Sequence, residues 1–308
     1  MKSIQLLKLL HTNRELILRN NGHAAETLLE LNEDCKDITN EETILNLEFN
    51  NSLAELFFHS RYDNAIANSL KSIEKFKDSL HHHVLAEHYW LVGHCYAHKG
   101  DYESSKESLL IALKITEQIT PVPVKLKSDI LLSLAMNEEL HEKGPEKSIQ
   151  YLEEAIDLMD DEVNSVRKAN CLMGLGNVYV NIDRDEEALQ HYLLAALTFE
   201  HHFDLQNMAS AYSNIGTAYI KLKNYEKAED FLEKSLELRI KAGSPDDLSI
   251  SYYNLAIVYR DTKKFDRAEE LLLKSREILT RTGSKPFFMQ TEEMLKEVAL
   301  ERGKLGSN

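Results

Sequence analysis

Residues 212–219, Tyr-Ser-Asn-Ile-Gly-Thr-Ala-Tyr, recur forty residues later as Tyr-Tyr-Asn-Leu-Ala-Ile-Val-Tyr at 252–259. The segments that follow also match, because Asn-Tyr-Glu-Lys-Ala at 224–228 corresponds to Phe-Asp-Arg-Ala at 265–268. A fixed period of this length is typical of a stack of similar units, each burying its apolar face against the next. The repeat therefore decides the fold class before any other feature of the chain.

Gly216 gives a reference position that can be followed along the whole chain. Steps of 40 residues, with one step of 43, place its equivalents at Asn13, Leu53, Gly93, Met136, Gly176 and Ala256. Twelve residues past each equivalent lies Ala or Ser, and three residues past four of them lies Tyr. Small residues allow two helices to approach closely, and an aromatic ring fills the remaining space. Each repeat is thus predicted to be a first helix, a turn and a second helix.

These positions resemble the tetratricopeptide repeat, which has an aromatic at position 4, Leu-Gly at 7 and 8, Tyr at 11, Ala at 20 and Ala at 27. The sixth repeat matches at Tyr212, Ile215, Gly216, Tyr219, Ala228, Leu232 and Ser235. The fifth repeat matches at Leu172, Leu175, Gly176, Tyr179, Ala188, Tyr192 and Ala195. The resemblance is strong over roughly residues 84–280 and weak over 3–31. The fourth repeat departs most, with Met136 in place of the glycine and Glu139 in place of the tyrosine.

The forty-residue length resembles the extended repeats of kinesin light chain, of LGN-type polarity scaffolds and of Rap- and MalT-type bacterial regulators. The resemblance implies an all-α fold, a right-handed α-solenoid of about seven helix–turn–helix units with a C-terminal capping helix over 287–302. We expect degenerate repeats in residues 1–82, the main array in 83–282 and the capping helix with a polar tail in 283–308. The Thr-Pro-Val-Pro segment in the 43-residue interval predicts a bend near 120–124.

Composition narrows the classes of partner. The 308 residues carry a net charge of −15, which argues against nucleic acid and is compatible with basic or neutral peptides. An alternative explanation of the negative charge is that it keeps a long repeat array soluble. No apolar run is long enough for a membrane span, and no signal peptide is recognisable. Three widely spaced cysteines without a CxxC pair favour a reducing cytoplasm and argue against a structural zinc site.

Catalytic motifs are not recognisable in the sequence, which contains no phosphate-binding glycine loop, HExxH or nucleophile elbow. Most carboxylates fall on positions that a repeat exposes to solvent. We therefore predict that the chain is not an enzyme and needs no cofactor. The alternative is a phosphatase of the Rap type, in which a carboxamide would position the attacking water.

Asparagines recur on the surface that the first helices are expected to line. In such a stack, positions 2, 5, 6, 9, 12 and 13 of the first helices face or border a concave groove. Asparagine occupies position 6 at Asn51, Asn214 and Asn254, position 9 at Asn137 and Asn177, and position 2 at Asn170. An amide side chain both donates to and accepts from a peptide backbone. These residues are predicted to bind a peptide, although asparagine is also frequent at positions 6 and 9 for reasons of fold.

Three larger side chains fall on the same predicted surface. Trp90 and Tyr253 occupy position 5, and Arg260 occupies position 12. Aromatic residues and arginine are frequent anchors in protein interfaces. We predict that they contribute to the peptide site, with packing of Trp90 against a neighbouring helix as the alternative.

Histidines crowd the third repeat. His94 and His98 share a helix face at i, i+4 spacing, and His141 occupies the same repeat position as His98 one unit later. Together they suggest a metal, pH-sensing or anion site, with solvent-exposed histidines as the simpler interpretation.

The sequence thus favours a non-catalytic scaffold that binds a protein or peptide ligand, in bacterial-type signalling or regulation, and it allows a homodimer. The alternative is the sensory half of a larger signalling protein, such as a transcription regulator, kinase or cyclase, or a Rap-like peptide-responsive regulator. The identity of the ligand is not encoded in these patterns.

Overall fold

A computed structural model describes residues 2–18, 23–36, 38–142, 144–159, 165–242, 245–283 and 285–305. Within these ranges the chain forms fifteen α-helices, one short π-helix and no β-strand. No helix in the described part is long and apolar enough to cross a membrane. The prediction of an all-α repeat fold is confirmed. The α-helices are α1 Lys2–Leu18, α2 His23–Asp34, α3 Glu41–His59, α4 Tyr62–Phe76, α5 His82–His98, α6 Tyr102–Glu117, α7 Val124–Asn137, α8 Pro145–Leu158, α9 Val166–Asn181, α10 Asp185–His201, α11 Leu205–Lys221, α12 Tyr225–Ala242, α13 Pro245–Asp261, α14 Phe265–Thr282 and α15 Lys285–Leu305.

Tight turns join the first and second helices of a repeat. Seven residues past the reference position the backbone is left-handed, with φ from 50° to 79°, at Ser60, Gly100, Asp183, Lys223 and Lys263. In four of these turns, the next amide donates back to the carbonyl of the repeat's tyrosine at 2.7 to 3.0 Å. This bond satisfies a carbonyl at the end of the first helix, as helix-terminating motifs commonly do. The second helix can therefore fold back against the first.

The glycines at the reference position allow the two helices of a repeat to approach closely. A Cβ atom on Gly176 would lie 2.3 Å from the ring of Tyr192, and one on Gly216 would lie 2.5 Å from Leu232. Real Cβ atoms do not come so close to their neighbours. The predicted role of small residues at this position is therefore confirmed.

The chain divides into two compact units, Met1–Leu158 and Met159–Asn308. Phe49 and Leu53 are fully buried in the core of the first, which we call the N-terminal unit. Phe199 is buried in the core of the second, the C-terminal unit. The predicted boundaries at 82 and 282 stay predictions, as does the bend near 120–124, which falls in the loop between α6 and α7.

The fifteenth helix closes the last hairpin. Met294 and Val298 of α15 are buried in one cluster with Ala268 and Leu272 of α14. The remaining face of α15 is largely exposed. The helix predicted over 287–302 is therefore present, somewhat longer than expected, and caps the array as terminal repeats require.

The fourth repeat has a different register from the one the sequence suggested. Ala135 is 1% exposed, whereas Met136 is 51% exposed, so Ala135 occupies the buried position of the glycines. The hydroxyl of Ser148 in α8 donates to the carbonyl of Ala135 at 3.0 Å. The alignment of this repeat on Met136 was wrong by one residue.

A π-helix over Glu138–Glu142 accounts for this shift, since a π-bulge adds one residue to a helix. The residue at the tyrosine position is consequently Glu138, not Glu139 as predicted. Glu138 is buried, and its carboxylate lies 2.9 Å from the amine of Lys106 in α6. A buried ion pair thus replaces the aromatic packing of the other repeats.

Candidate functional site

The predicted asparagines of the C-terminal unit lie on the first helices α9, α11 and α13. Asn214 donates through Nδ2 to Oδ1 of Asn177 at 3.2 Å, and the hydroxyl of Tyr192 donates to the same oxygen at 2.7 Å. Asn254 donates through Nδ2 to the hydroxyl of Ser213 at 3.3 Å. The structure therefore joins α9 to α11 and α11 to α13 through these amides. We call Asn177, Asn214 and Asn254 the asparagine face.

The asparagine face retains hydrogen-bonding capacity. Asn177 is exposed, and Asn214 and Asn254 are half-buried. The amide nitrogen of Asn177 and the amide oxygens of Asn214 and Asn254 form no hydrogen bond with any described residue. Asn170 is half-buried about two turns before Asn177 on α9 and forms no hydrogen bond in the described chain either. These amides can meet both the donors and the acceptors of a peptide backbone.

Arg260 lies between two shallow clefts at the end of the C-terminal unit. Its guanidinium donates to the carboxylates of Asp261 at 2.9 Å and of Glu297 at 3.2 Å, which joins α13 to α15. The clefts have volumes of about 370 and 260 Å³. They are lined by Asp261, Lys263, Phe265, Leu300 and Glu301 on one side, and by Tyr253, Gln290, Glu293 and Met294 on the other.

Tyr253 borders the smaller of these clefts. Its ring lies 5.0 Å from that of Phe287 at the start of α15, and the side chain is half-buried. Burial raises the pKa of its hydroxyl, so this group is a neutral hydrogen-bond donor at physiological pH. The structure thus brings Tyr253 and Arg260 to the same cleft, on the helix that also carries Asn254.

In the N-terminal unit, Trp90 is half-buried and bridges two first helices. Its Nε1 donates to the hydroxyl of Ser133 on α7 at 3.2 Å, and its ring stacks on His94 at 5.7 Å. Trp90 therefore has a structural contact, as the alternative interpretation required, and it stays partly exposed.

Asn137 does not lie on the predicted surface. It is buried, and its Nδ2 donates to the backbone carbonyl of Tyr102 at 3.1 Å. The one-residue shift in the fourth repeat is the physical reason, because it rotates the side chain toward α6. The structure therefore removes Asn137 from the candidate set.

The three histidines do not come together. His94 and His98 lie on one face of α5 with their Nε2 atoms 3.2 Å apart, and burial together with the neighbouring His98 lowers the pKa of His94 to about 4. His141 lies beside Tyr102 and Glu103 of α6 instead. In the described ranges, no group of three His, Cys, Asp or Glu side chains has a geometry that would hold a metal ion.

A buried polar network that the sequence did not reveal links α1, α3 and α5. Arg14 donates to Oε1 of Glu87 at 2.5 Å, to Oδ1 of Asn46 at 2.7 Å and to Oδ1 of Asn50 at 3.2 Å. Arg14 and Glu87 are only 6% and 8% exposed. The second oxygen of Glu87 is buried without a hydrogen-bond partner. The network fixes the first hairpin onto the third repeat.

Sequence reasoning missed this network because its two charges are 73 residues apart in different repeats, and Arg14 lies in the segment that resembles the repeat only weakly. The sequence of α3 nevertheless contains one indication of a buried polar contact. Asn46 and Asn50 stand one turn apart on the apolar helix α3, where unpaired amides would be costly to bury. Such a pair indicates a buried polar partner, although it does not identify that partner.

Two family models for the tetratricopeptide repeat match the sequence, one over residues 207–281 and the other over residues 86–119. The first match includes Asn214, Asn254, Tyr253 and Arg260, and the second includes Trp90. Comparison of the sequence with curated proteins gave no match.

Several solved structures have a similar fold. A Rap protein complexed with Competence and Sporulation Factor has a TM-score of 0.71 at 15% identity, over 96% of this chain and 87% of that one. The apo form of the quorum sensor NprR from B. thuringiensis has a TM-score of 0.70 at 16% sequence identity, and the match covers 98% of this chain and 80% of that one. BtubC (BKLC) from P. vanneervenii has a TM-score of 0.64 at 21% sequence identity, and the match covers 72% of this chain and 92% of that one. At these identities the likeness establishes the fold, and it confirms the predicted resemblance to Rap-type regulators.

Proposed function

We propose that this tetratricopeptide-repeat protein is a non-catalytic regulator that binds a peptide segment on the asparagine face. The contact between Asn177 and Asn214 carries the proposal. Because Oδ1 of Asn177 accepts hydrogen bonds from both Tyr192 and Asn214, the orientation of that amide is fixed and its nitrogen is left to donate. A donor held in place before binding loses little entropy when a ligand arrives.

The two clefts beside Arg260 would bind the rest of the peptide. Asp261 and Glu297 already compensate the charge of Arg260, and further carboxylates line both clefts. Together with the net charge of −15, this supports a neutral or basic peptide over an acidic one. Asn170 is proposed as an additional contact on this face, and Trp90 as a separate peptide contact within the N-terminal unit.

The similar structures support a regulatory setting for this site. One of them is a Rap protein in complex with Competence and Sporulation Factor, and another is described as a quorum sensor. These structures therefore favour a protein that acts as a Rap-like peptide-responsive regulator or as the sensory part of a larger signalling protein. The three cysteines are buried and form no disulfide with one another, which supports a reducing cytoplasm as the protein's location.

Selection from a displayed library of random peptides on the immobilised chain tests the proposal. Peptides that enrich should bind the wild type and lose most of their affinity for the triple variant Asn177→Ala, Asn214→Ala and Asn254→Ala. Replacing three hydrogen-bonding amides at about 1 kcal/mol each predicts a loss of at least about 100-fold. Equal affinity for both proteins, or no enrichment at all, would refute the asparagine face as the binding surface.

A matched control separates this effect from general damage. Asn68 is an exposed asparagine on the second helix α4 of the N-terminal unit. Asn68→Ala should leave peptide affinity unchanged, and circular dichroism should show that the triple variant keeps its helix content. Arg260→Ala then shows whether the clefts contribute to specificity, and Trp90→Ala shows whether the N-terminal unit binds peptide as well.

A further inference from the structure

Helix α10 exposes a stripe of leucines. Leu193, Leu194 and Leu197 are 37%, 53% and 63% exposed, although three large apolar side chains on one helix would ordinarily face a core. Glu186 and Gln190 continue the stripe toward the start of the helix, and His201 ends it, all three being exposed. At 100° per residue these six side chains fall within about 100° of the helix circumference. The stripe is as wide as a helix face that normally packs against a partner.

The corresponding positions of the other second helices are not apolar throughout. They lie 5, 6 and 9 residues past the small residue near the start of each second helix, which is Ala188 in α10 and Ser148 in α8. In every second helix from α4 to α14 other than α10, at least one of the three is charged. The sets are Leu70, Lys71 and Glu74 in α4; Leu110, Ile111 and Lys114 in α6; Glu153, Glu154 and Asp157 in α8; Glu233, Lys234 and Glu237 in α12; and Leu273, Lys274 and Glu277 in α14. The leucines of α10 are therefore a local feature of this helix and not a property of the repeat.

We infer that the leucine stripe of α10 docks on the same stripe of a second copy of this chain, with the two helices antiparallel. The order of residues along the stripe supports this occupant. About a centre between Leu193 and Leu194, Gln190 is symmetrical with Leu197, and Glu186 with His201. An antiparallel pair therefore places an acid opposite an imidazole at both ends and leucines in the middle, whereas a parallel pair would place Glu186 opposite Glu186.

The size of the stripe sets the strength of the association. From Glu186 to His201 the helix extends about 22 Å, and one such helix face buries well under the roughly 800 Å² per partner of a standard interface. The dimer is accordingly weak and forms with increasing concentration. It leaves the asparagine face uninvolved, since none of its residues belongs to α10.

Sedimentation velocity over a wide range of concentration tests the dimer. The wild type should shift toward twice the monomer mass as concentration rises, and Leu194→Glu combined with Leu197→Glu should remain monomeric. Ile240→Glu is the matched control, because Ile240 is an exposed apolar residue on another second helix, at 56% exposure. A wild type that stays monomeric at millimolar concentration, or a dimer that survives the double variant, would overturn the inference.

Cysteine crosslinking tests the orientation. In the antiparallel pair, a copy carrying Glu186→Cys should form a disulfide with a copy carrying His201→Cys. Two copies of Glu186→Cys should not crosslink, since their cysteines would be about 22 Å apart and a disulfide needs Cα atoms within about 7 Å. Efficient crosslinking of Glu186→Cys with itself would exclude the antiparallel arrangement. The native cysteines are buried and therefore compete little in the reaction.

Discussion

Replacing Glu87 by alanine should destabilise the N-terminal unit severely. Glu87 and Arg14 are both more than nine-tenths buried, and a guanidinium nitrogen of Arg14 lies 2.5 Å from Oε1 of Glu87. The variant leaves the guanidinium of Arg14 in the interior without its counter-charge. Asn46 and Asn50 still accept hydrogen bonds from it, but they carry no charge.

The size of the effect follows from the cost of an uncompensated buried charge. Removal of one partner of a buried ion pair typically lowers the free energy of unfolding by about 3–5 kcal/mol. Because the two amide acceptors remain, we expect about 3 kcal/mol for Glu87→Ala. Glu87→Gln keeps the shape and one acceptor oxygen, so it should cost less than the alanine variant.

The single tryptophan makes this measurement specific. Trp90 lies on α5, three residues from Glu87, so its fluorescence reports the unfolding of the N-terminal unit in urea. Stability in repeat proteins is a sum of local and nearest-neighbour terms. Hydrogen exchange should therefore accelerate in α1, α3 and α5 and remain unchanged in α13 and α14.

A second variant distinguishes loss of the ion pair from simple loss of packing. Arg14→Met combined with Glu87→Leu removes both charges while filling the space, and it should recover most of the stability that Glu87→Ala loses. If Glu87→Ala changes the free energy of unfolding by less than about 0.5 kcal/mol, the size of an ordinary surface substitution, the reasoning is refuted. Strict additivity of Arg14→Met and Glu87→Leu would refute it as well.

Two further predictions concern packing and pH. Gly216→Ala should lower the free energy of unfolding by about 1–3 kcal/mol, because the new methyl group would overlap Leu232. A methyl group on Gly303 would have no atom within 4 Å, so Gly303→Ala should leave the free energy of unfolding unchanged or raise it by up to about 1 kcal/mol. Thermal unfolding followed by circular dichroism compares the two variants, and equal effects would contradict the packing argument. Burial lowers the pKa of His88 to about 3, so the unfolded chain takes up a proton there more readily, and stability should fall as pH decreases from about 6.5 toward 3. His88→Gln should reduce that slope by up to about 1.4 kcal/mol per pH unit in urea titrations read by Trp90 fluorescence; an identical slope in both proteins would show that His88 is not the group responsible.

The repeat period made most of the fold predictable. Glycine, tyrosine and a small residue recur where helices must approach closely, and each has a direct steric reason, as Gly176 against Tyr192 shows. The fourth repeat lacks both the glycine and the tyrosine, so the sequence offered no marker for its register. The π-helix was consequently not predicted, and Asn137 was placed on the wrong side of its helix.

The candidate site was predictable to the extent that it follows from repeat position. Asn177 and Asn214 occupy positions 9 and 6 of successive first helices, and the structure places them in hydrogen-bond contact. Their role in peptide binding stays a prediction. The network of Arg14 could not be predicted, because it depends on contacts between distant repeats and not on a pattern within one.

Site-specific photocrosslinking tests the central claim most directly. A photoreactive amino acid replaces Thr217, which lies one turn after Asn214 on α11, or Lys234, which is exposed on the second helix α12. A peptide selected on the wild type should crosslink at position 217 and not at position 234. Crosslinking at 234 alone, or equally at both positions, would show that the peptide does not bind on the asparagine face.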